Sequence, residues 1–381
     1  MTRALELARR GLNTTTPNPR VGCVIAAGER VLGEGFHARA GEAHAEIAAL
    51  ADARAHGADV RGATLYATLT PCNSFGRTPP CTGAIVAAGI GRVVAAMDDP
   101  APVQAGAVAR LREAGVRIDV GLLEGEAQEL NRGFVSRLTR GRPWVRMKIA
   151  ASLDGRTALD GGASQWITGS EAREDGHRWR ARACAVLTGI GTVRHDDPQL
   201  TVRAIDTPRQ PLRVVLDVRA ETPPGARVLA RPHVRQGDTP EAQQRARADT
   251  SARADPSEWG GGVLVVTAGA RNPEWPAHVE VMGLPDANGR IDLGAAMRML
   301  AARGINELHV EAGARLNGAL LAAGLVDEVL VYLSPSLIGD PARGMFALRT
   351  PLASLDERHL LRYDSIERVG ADLRILARVT A

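Results

Sequence analysis

The feature that most constrains this chain is a set of metal-binding side chains in its N-terminal part. His44 and Glu46 are separated by one alanine, and Cys72 follows 26 residues after Glu46, directly behind a proline. Cys81 comes after eight intervening residues. One histidine and two thiolates hold zinc in a tetrahedral site whose fourth position stays open to water. The pattern therefore predicts zinc bound by His44, Cys72 and Cys81.

Glu46 need not be a ligand, because its position suits proton transfer. Zinc lowers the pKa of a bound water from about 15.7 to about 7, and a carboxylate beside it can pass the proton to a leaving amine. The pattern H-x-E followed by P-C is the signature of zinc-dependent nucleobase deaminases. The alternatives are a structural zinc site or buried thiols. A structural site usually has four protein ligands, and no fourth candidate lies close in the sequence. We therefore interpret the site as catalytic.

The spacer between the two cysteines is unusually long. It reads N-S-F-G-R-T-P-P, whereas the common deaminase pattern is C-x-x-C. Arg77 and Thr78 supply a cation and a hydroxyl within a loop that two prolines restrict. Because guanidinium groups form paired hydrogen bonds with phosphate, the spacer predicts a phosphate site beside the metal.

Length and composition indicate a globular protein of two or three domains. The chain has 381 residues, of which 45% are hydrophobic and 24% charged. It has no run of 18 apolar residues, so we expect no contact with a membrane. Glu6 lies where a signal peptide would be apolar, which favours the cytoplasm. Four cysteines in a chain this long argue against a disulfide framework, and we expect Cys23 and Cys184 to be buried.

The charge pattern favours small anionic substrates over nucleic acid. The net charge is +4 and the pI near 9.2, but the arginines are dispersed along the chain. Aromatic residues make up only 3%, too few for a platform on which bases could stack. We therefore expect a mildly basic enzyme that does not bind nucleic acid.

Residues 1–142 alternate between predicted strands and helices. One helix begins at His44, with the first ligand and the proton carrier on its first turn, and another begins at Cys81. A charged helix over about 124–139 is followed by Gly141-Arg142-Pro143, which we interpret as a domain boundary. The repeated β–α units predict a three-layer α/β/α domain.

Residues 143–381 predict a second α/β domain that lacks the Rossmann fingerprint G-x-G-x-x-G. The segment 232–262 is polar and without periodicity, so we expect a mobile loop there. The segments 326–333 and 373–379 are predicted to close the sheet as a hairpin-like pair.

Two further stretches suggest ligand contacts, and each has a structural alternative. Asn18 lies between two prolines and can read a base edge with its donor and acceptor, or simply form an Asx turn. Residues 311–321 read as a strand, a glycine-containing turn and a helix, which can cradle a phosphate. The alternative is an ordinary βα turn.

Several motifs together resemble the family of bifunctional pyrimidine deaminase/reductases of riboflavin biosynthesis. The resemblance covers nearly the whole chain. The matching stretches of the first half are 17–22 (P-N-P-R-V-G), 35–37 (G-F-H), 41–46 (G-E-A-H-A-E) and 76–81 (G-R-T-P-P-C). Those of the second half are 152–155 (S-L-D-G), 164–167 (S-Q-W-I), 188–192 (T-G-I-G-T) and 196–203 (D-D-P-Q-L-T-V-R).

This resemblance implies two consecutive reactions. The first is hydrolytic deamination of 2,5-diamino-6-(ribosylamino)pyrimidin-4-one 5′-phosphate, and the second is NADPH-dependent reduction of the ribosyl group to ribityl. The implied architecture is a cytidine-deaminase-like domain over 1–142 and a dihydrofolate-reductase-like domain over 143–381. A homodimer through the reductase domain is expected by analogy.

The resemblance also assigns site residues. In the first domain, zinc is held by His44, Cys72 and Cys81, the proton is carried by Glu46, and the substrate is contacted by Asn18, His37, Arg77 and Thr78. NADPH is contacted by Ala150, Trp166, Thr192, Asp196, Gly313, Ala314, Arg315, Leu316, Asn317, Gly318 and Ala319. The ribotide of the second reaction is contacted by Ser164, Arg180, Leu200, Arg203 and Glu311. Arg180 has the alternative of being a helix-surface charge, and the proton donor of the reduction is left open between Glu311, Asp196 and water.

The chain departs from the family pattern at several positions. Thr70 stands where many relatives have Glu, Asn73 and Ser74 where a His is common, and Ala312 where Gly is usual. Two rival hypotheses stay open. One is a nucleic-acid-editing deaminase with a C-terminal binding module, which the zinc motif alone would allow. The other, which these departures allow, is a chain in which one half has lost activity.

Overall fold

The chain folds into two units, Met1–Gly141 and Arg142–Ala381. A computed structural model describes residues 1–75, 79–231 and 261–380. The mobile loop expected at 232–262 lies outside the described residues, apart from its last two positions. Gly141 ends a helix with a φ of +64°, a left-handed conformation that glycine adopts without a Cβ penalty.

The first unit is built on five strands. They are β1 (Gly22–Ala27), β2 (Arg30–Phe36), β3 (Thr64–Ala67), β4 (Arg92–Ala95) and β5 (Arg117–Val120). Its helices are α1 (Thr2–Arg9), α2 (Ala45–Ala55), α3 (Cys81–Ala87), α4 (Ala107–Glu113), α5 (Glu124–Leu130) and α6 (Arg132–Arg140). The strand order is β2-β1-β3-β4-β5, in which β1 pairs antiparallel with both neighbours and the rest are parallel.

Helices cover both faces of this sheet. Val24 packs against Ala4 and Leu7 of α1. Its neighbour Ile25 points to the opposite face, since side chains alternate along a strand, and shares a cluster with Ala49 of α2. Together with the family comparison below, this confirms the predicted α/β/α class.

The close approach of α2 to β2 fixes where the first metal ligand lies. A Cβ at Gly35 would lie 2.4 Å from the backbone nitrogen of Ala49 and 2.5 Å from the carbonyl of Ala45, so only glycine fits there. Helix α2 therefore rests directly on the strand, with His44 as the residue that precedes its first turn. The prediction that His44 lies inside this turn was off by one residue.

The single helix predicted over 124–139 is wrong, because Asn131 divides it into α5 and α6. The Asn131 side chain is 1% exposed. Its amide accepts from the backbone N–H of Arg20 at 2.8 Å and donates to the Arg20 carbonyl at 2.9 Å. This pairing holds Asn131 at φ −110°, outside the helical range.

The second unit contains eleven strands among the described residues. They are β6 (Trp144–Ser152), β7 (Arg156–Leu159), β8 (Ala185–Gly189), β9 (Leu212–Leu216), β10 (Val263–Thr267), β11 (Val279–Gly283), β12 (Glu307–Val310), β13 (Glu328–Ser334), β14 (Ala342–Gly344), β15 (Leu361–Val369) and β16 (Asp372–Val379). The α-helices are α7 (Ser170–Arg182), α8 (Ile190–Asp196), α9 (Leu293–Ala302) and α10 (Ala314–Ala322). Short 3-10 helices occur at Pro102–Gln104 in the first unit and at Arg227–Leu229 and Leu355–Glu357 in the second.

Nine of these strands form one mixed sheet in the order β11-β10-β9-β8-β12-β6-β13-β16-β15. The strands from β11 to β13 are parallel, and the last two pair antiparallel. The predicted pairing of the segments 326–333 and 373–379 is confirmed, although the hairpin partner of β16 is β15. Strands β5, β7, β11, β14 and β15 and helix α8 were missed. In β15 the reason is physical, because this edge strand is mostly exposed and has no buried apolar face.

Among the described residues, every helix is too short or too polar to span a bilayer.

Candidate functional site

Three metal-ligating side chains converge in the first unit. His44 precedes α2, Cys81 opens α3, and Cys72 lies in the loop that follows β3. Nδ1 of His44 lies 3.4 Å from Sγ of each cysteine, and the three donor atoms lie within 4.8 Å of one another. A tetrahedral zinc with ordinary Zn–N and Zn–S bonds has N···S edges of about 3.5 Å. The donor set and its spacing therefore fit zinc.

The local hydrogen bonds favour a thiolate at Cys72. Its sulfur accepts the backbone N–H of Cys81 at 3.2 Å. The hydrogen bond shared with the Cys81 thiol, together with that from His44, lowers the pKa of Cys72 despite its burial. The shared proton raises the pKa of Cys81. Because a thiolate is the form that binds metal, at least one sulfur is ready to do so at neutral pH.

Glu46 lies on the first turn of α2 and is 4% exposed. Burial raises the pKa of its carboxyl group. A carboxyl group whose pKa is moved toward neutrality can both accept and release a proton during one reaction. Its burial beside the donor atoms therefore suits a proton carrier.

Asn18 and His37 form one hydrogen-bonded pair next to the metal ligands. The Asn18 amide donates to Nε2 of His37 at 3.0 Å, and Nδ1 of His37 donates to the Ala43 carbonyl at 3.0 Å. Burial lowers the pKa of His37, which agrees with this neutral tautomer. The ring centroids of His37 and His44 are 5.4 Å apart. The Asn18 side chain thus reaches across to His37, and an Asx turn is not needed to explain it.

The predicted phosphate contacts Arg77 and Thr78 lie outside the described residues. The loop before them is anchored by a residue that the sequence did not single out. The Gln104 side-chain oxygen accepts the backbone N–H groups of Asn73 and Ser74 at 2.8 and 3.3 Å. Thr82 donates to the Asn73 side chain at 3.2 Å. The two departures from the family pattern thus take part in loop anchoring.

The second unit contains a cavity of about 2270 Å³ at the carboxyl ends of its parallel strands. Most of the predicted cofactor and substrate residues line it, namely Ala150, Ser164, Trp166, Arg180, Thr192, Asp196, Leu200, Arg203, Glu311, Gly313, Ala314, Arg315, Leu316 and Ala319. Asn317 and Gly318 do not. The Asn317 amide donates to the Met345 carbonyl at 3.2 Å, and a Cβ at Gly318 would lie 2.2 Å from the Ala347 carbonyl oxygen. These two residues lie on a face of α10 that packs against another segment.

Arg180 and Glu311 form a paired ion bridge inside this cavity. Nε of Arg180 donates to one carboxylate oxygen at 2.5 Å and its terminal nitrogen to the other at 2.7 Å. The two side chains are only 14% and 15% exposed, so the alternative of a helix-surface charge is wrong. Burial would raise the pKa of Glu311, but the charge and hydrogen bonds of Arg180 hold it well below its usual value. Glu311 is therefore ionised at neutral pH.

A second contact joins a predicted substrate residue to a predicted cofactor residue. The Ser164 hydroxyl donates to the Asp196 carboxylate at 2.9 Å. Asp196 ends α8, and Ser164 lies in the loop before α7. The hydrogen bond therefore ties two walls of the cavity together.

Two cavity residues were missed by the sequence reasoning. Lys148 of β6 lines the wall two positions before Ala150, and burial lowers the pKa of its amine. His177 lies on α7, three residues before Arg180, and is 7% exposed. Periodicity could have revealed both residues. Lys148 shares a strand face with Ala150, two positions away, and His177 shares a helix face with Arg180, three positions away.

Comparison with known proteins identifies both units. The family model for the cytidine and deoxycytidylate deaminase zinc-binding region matches residues 1–97. The family model for the RibD C-terminal domain matches residues 143–375. The riboflavin biosynthesis protein RibD of Escherichia coli is 42% identical over 98% of this chain and 96% of its own length. That of Aquifex aeolicus is 38% identical over 98% of this chain and 95% of its own length.

Solved structures agree over the whole length. Acinetobacter baumannii RibD is 36% identical and superposes with a TM-score of 0.83, covering 100% of this chain and 97% of its own. A diaminohydroxyphosphoribosylaminopyrimidine deaminase/5-amino-6-(5-phosphoribosylamino)uracil reductase from Thermotoga maritima is 33% identical. It superposes with a TM-score of 0.84 and covers 100% of this chain and 97% of its own. The chain therefore belongs to the RibD family of riboflavin biosynthesis proteins.

Proposed function

We propose that this chain catalyses two consecutive steps of riboflavin biosynthesis. The first removes an exocyclic amine from 2,5-diamino-6-(ribosylamino)pyrimidin-4-one 5′-phosphate by hydrolysis, within residues 1–142. The second reduces the ribosyl group with NADPH, within residues 143–381, and yields 5-amino-6-(ribitylamino)uracil 5′-phosphate. The observation that carries the proposal is the convergence of one nitrogen and two sulfur donors within 4.8 Å beside a buried glutamate.

In the first unit, His44, Cys72 and Cys81 would hold zinc, which supplies hydroxide at neutral pH. Glu46 would accept the proton of the attacking water and hand it to the departing amine. Asn18, oriented by its hydrogen bond with His37, would pair with the edge of the pyrimidine through its remaining amide groups. Arg77 and Thr78 are assigned to the phosphate on the family pattern alone.

In the second unit, NADPH would supply a hydride. Trp166, Thr192, Asp196 and the turn that begins at Gly313 would orient the cofactor. The N-terminus of α10 carries backbone N–H groups that suit its phosphates. Asn317 and Gly318 would support this turn from the side away from the cavity.

The ribotide would bind beside the cofactor through Ser164, Leu200, Arg203 and the Arg180–Glu311 pair. Hydride transfer needs little covalent help from the protein, so orientation is the main contribution of these residues. Because Glu311 is ionised in its pair with Arg180, it can accept a hydrogen bond from a ribose hydroxyl.

We further propose that the protein forms a homodimer through the reductase unit and works in the cytoplasm, where thiols stay reduced. Strand β15 lies at the edge of the nine-stranded sheet and exposes Leu361 by 46%, Tyr363 by 64% and Ile366 by 56%. An apolar edge strand is an opportunity for pairing with a second chain. Light scattering on the wild type and on Ile366→Lys should give a dimer and a monomer, respectively.

The decisive experiment supplies the diaminopyrimidinone ribotide to zinc-loaded, full-length protein, first without and then with NADPH. Ammonia release and NADPH absorbance are followed separately. We expect ammonia before NADPH is added and NADPH oxidation afterwards. Ammonia without later oxidation would mean that the second unit is inactive. No ammonia at all would reject the substrate and direct attention to nucleosides and RNA.

A further inference from the structure

We propose that His177 is a positioning residue of the reductase site, which holds the backbone of Arg203 so that the Arg203 guanidinium faces the phosphate of the ribotide. The inference rests on the proposed reductase function and extends it to a residue outside the family motifs quoted above.

Arg203 lines this cavity, and its guanidinium has no protein partner among the described residues. Arg180 is engaged by Glu311 through two hydrogen bonds and by the Thr201 carbonyl through a third at 3.1 Å. For the Arg203 side chain, the described part of the chain provides no hydrogen bond or ion pair. Burial and the nearby charge of Arg180 lower the pKa of Arg203. An anion would relieve this repulsion and complete its hydrogen bonds.

The backbone that carries Arg203 belongs to no strand or helix and is held by side chains instead. The side-chain amide of Gln210 pairs with both the N–H and the carbonyl of Val202, at 2.8 Å each. Arg180 donates to the carbonyl of Thr201. The backbone N–H of Arg203 donates to Nδ1 of His177 at 3.4 Å. Irregular backbone needs such partners, because its N–H and C=O groups have no ladder to join. His177 therefore holds the backbone of Arg203 itself, the arginine proposed to bind the phosphate.

The geometry requires an uncharged imidazole. Nδ1 can accept the N–H of Arg203 only if the ring proton is on Nε2. Three cations and one carboxylate face the ring, which are Arg180 of the same helix, Arg203 of the loop, Lys148 of β6 and Glu311 after β12. Burial, reinforced by the two guanidinium groups, lowers the pKa of His177 to about 4. The acceptor is therefore present at neutral pH.

His177 is among the residues that line the cavity, so the backbone that it holds lies at the wall against which the ribotide would bind. A residue that merely filled space on α7 would leave Nδ1 without a partner.

The test compares His177→Asn, which keeps an acceptor near the position of Nδ1, with His177→Phe, which keeps only the ring volume. The readouts are KM and kcat for NADPH oxidation with the deaminated ribotide. Losing the acceptor of this partly buried backbone N–H should raise the ribotide KM of His177→Phe about tenfold, with a smaller change in kcat. His177→Asn should recover most of this loss. Equal KM values in wild type and His177→Phe, or equal loss in both variants, would overturn the proposal.

A double-mutant cycle tests whether His177 acts through Arg203. Arg203→Ala should raise the ribotide KM by itself, and adding His177→Phe should then change it little, because coupled residues are not additive. Full additivity would contradict a positioning role.

The matched control is Arg178→Gln, whose parent side chain lies next to His177 on the same helix but is 61% exposed. It should match the wild type, and ammonia release should be unchanged in every variant.

Binding of ribose 5-phosphate, measured by calorimetry, separates this inference from the proposed function. If the wild type oxidised no NADPH, the assigned reaction would be wrong. Weaker binding of ribose 5-phosphate to His177→Phe than to the wild type would still support the anchoring of Arg203. Equal binding would reject it.

Discussion

The two units build their sites in different ways. In the first, three donor atoms lie within 4.8 Å and come from residues close in the sequence. In the second, the site residues are distributed over a cavity of about 2270 Å³, and the central pair, Arg180 and Glu311, is 131 residues apart in the sequence. A metal imposes short distances on few ligands, whereas a dinucleotide and a ribotide need an extended wall. The smaller ligand is therefore bound by residues close together in the sequence, and the larger ligands by residues far apart in it.

The two buried glutamates show the same contrast in their electrostatics. Burial raises the pKa of Glu46, whereas Arg180 outweighs burial and holds that of Glu311 low. The first carboxyl group is suited to exchanging a proton. The second keeps a fixed negative charge beside two arginines and a lysine, so the sites use the same residue type for opposite purposes.

The largest expected effect is the loss of the deaminase activity while the reductase activity is retained. Removing zinc with a chelator, or replacing Cys72 by Ser, should reduce ammonia release below detection, because hydroxide is no longer available at neutral pH. NADPH oxidation with the deaminated ribotide supplied directly should persist. A parallel loss of both activities would mean that the two sites are not independent.

The next effect distinguishes the contribution of Glu46 to proton transfer from that of the metal. Glu46→Gln should lower kcat for ammonia release by about 10²- to 10⁴-fold, the usual contribution of general acid–base catalysis. Zinc content, measured by elemental analysis, should stay at the wild-type level. Loss of zinc in this variant would instead assign Glu46 to metal binding.

The smallest effect tests the fixed charge of Glu311. A carboxyl group whose pKa is lowered on folding stabilises the folded state above its ordinary pKa of 4.5, and that stabilisation is lost as the pH falls below it. The thermal unfolding temperature of the second unit should therefore fall as the pH is lowered below about 5. Because all five tryptophans follow residue 142, tryptophan fluorescence reports this unit alone.

The control for this measurement is Glu311→Gln, which cannot titrate. Its unfolding temperature should be lower than that of the wild type at neutral pH, since an uncompensated Arg180 is left in a largely buried position. The difference between the two proteins should shrink as the pH falls. A constant difference across the pH range would show that Glu311 does not carry the predicted charge.

Local sequence predicted much of the secondary structure for a physical reason. Helix α7 begins and ends where expected, and α3 begins at Cys81, because turn residues and apolar periodicity act over a few neighbours. The errors lie where distant contacts decide. Asn131 interrupts a helix by binding Arg20, 111 residues away. In the exposed edge strand β15, a bulge between Tyr363 and Ser365 breaks the apolar alternation that would have revealed the strand.

The sequence by itself pointed to the candidate zinc ligands, the proposed proton carrier, the two α/β units and the family motifs, since each depends on spacing along the chain or on motif identity. The tertiary structure alone decided that Arg180 is bound to Glu311, that His177 and Lys148 line the cavity, and that Asn317 and Gly318 lie away from it. A helix presents a different face every few residues, and which face meets the cavity depends on packing against distant segments. Sequence spacing does not encode that choice.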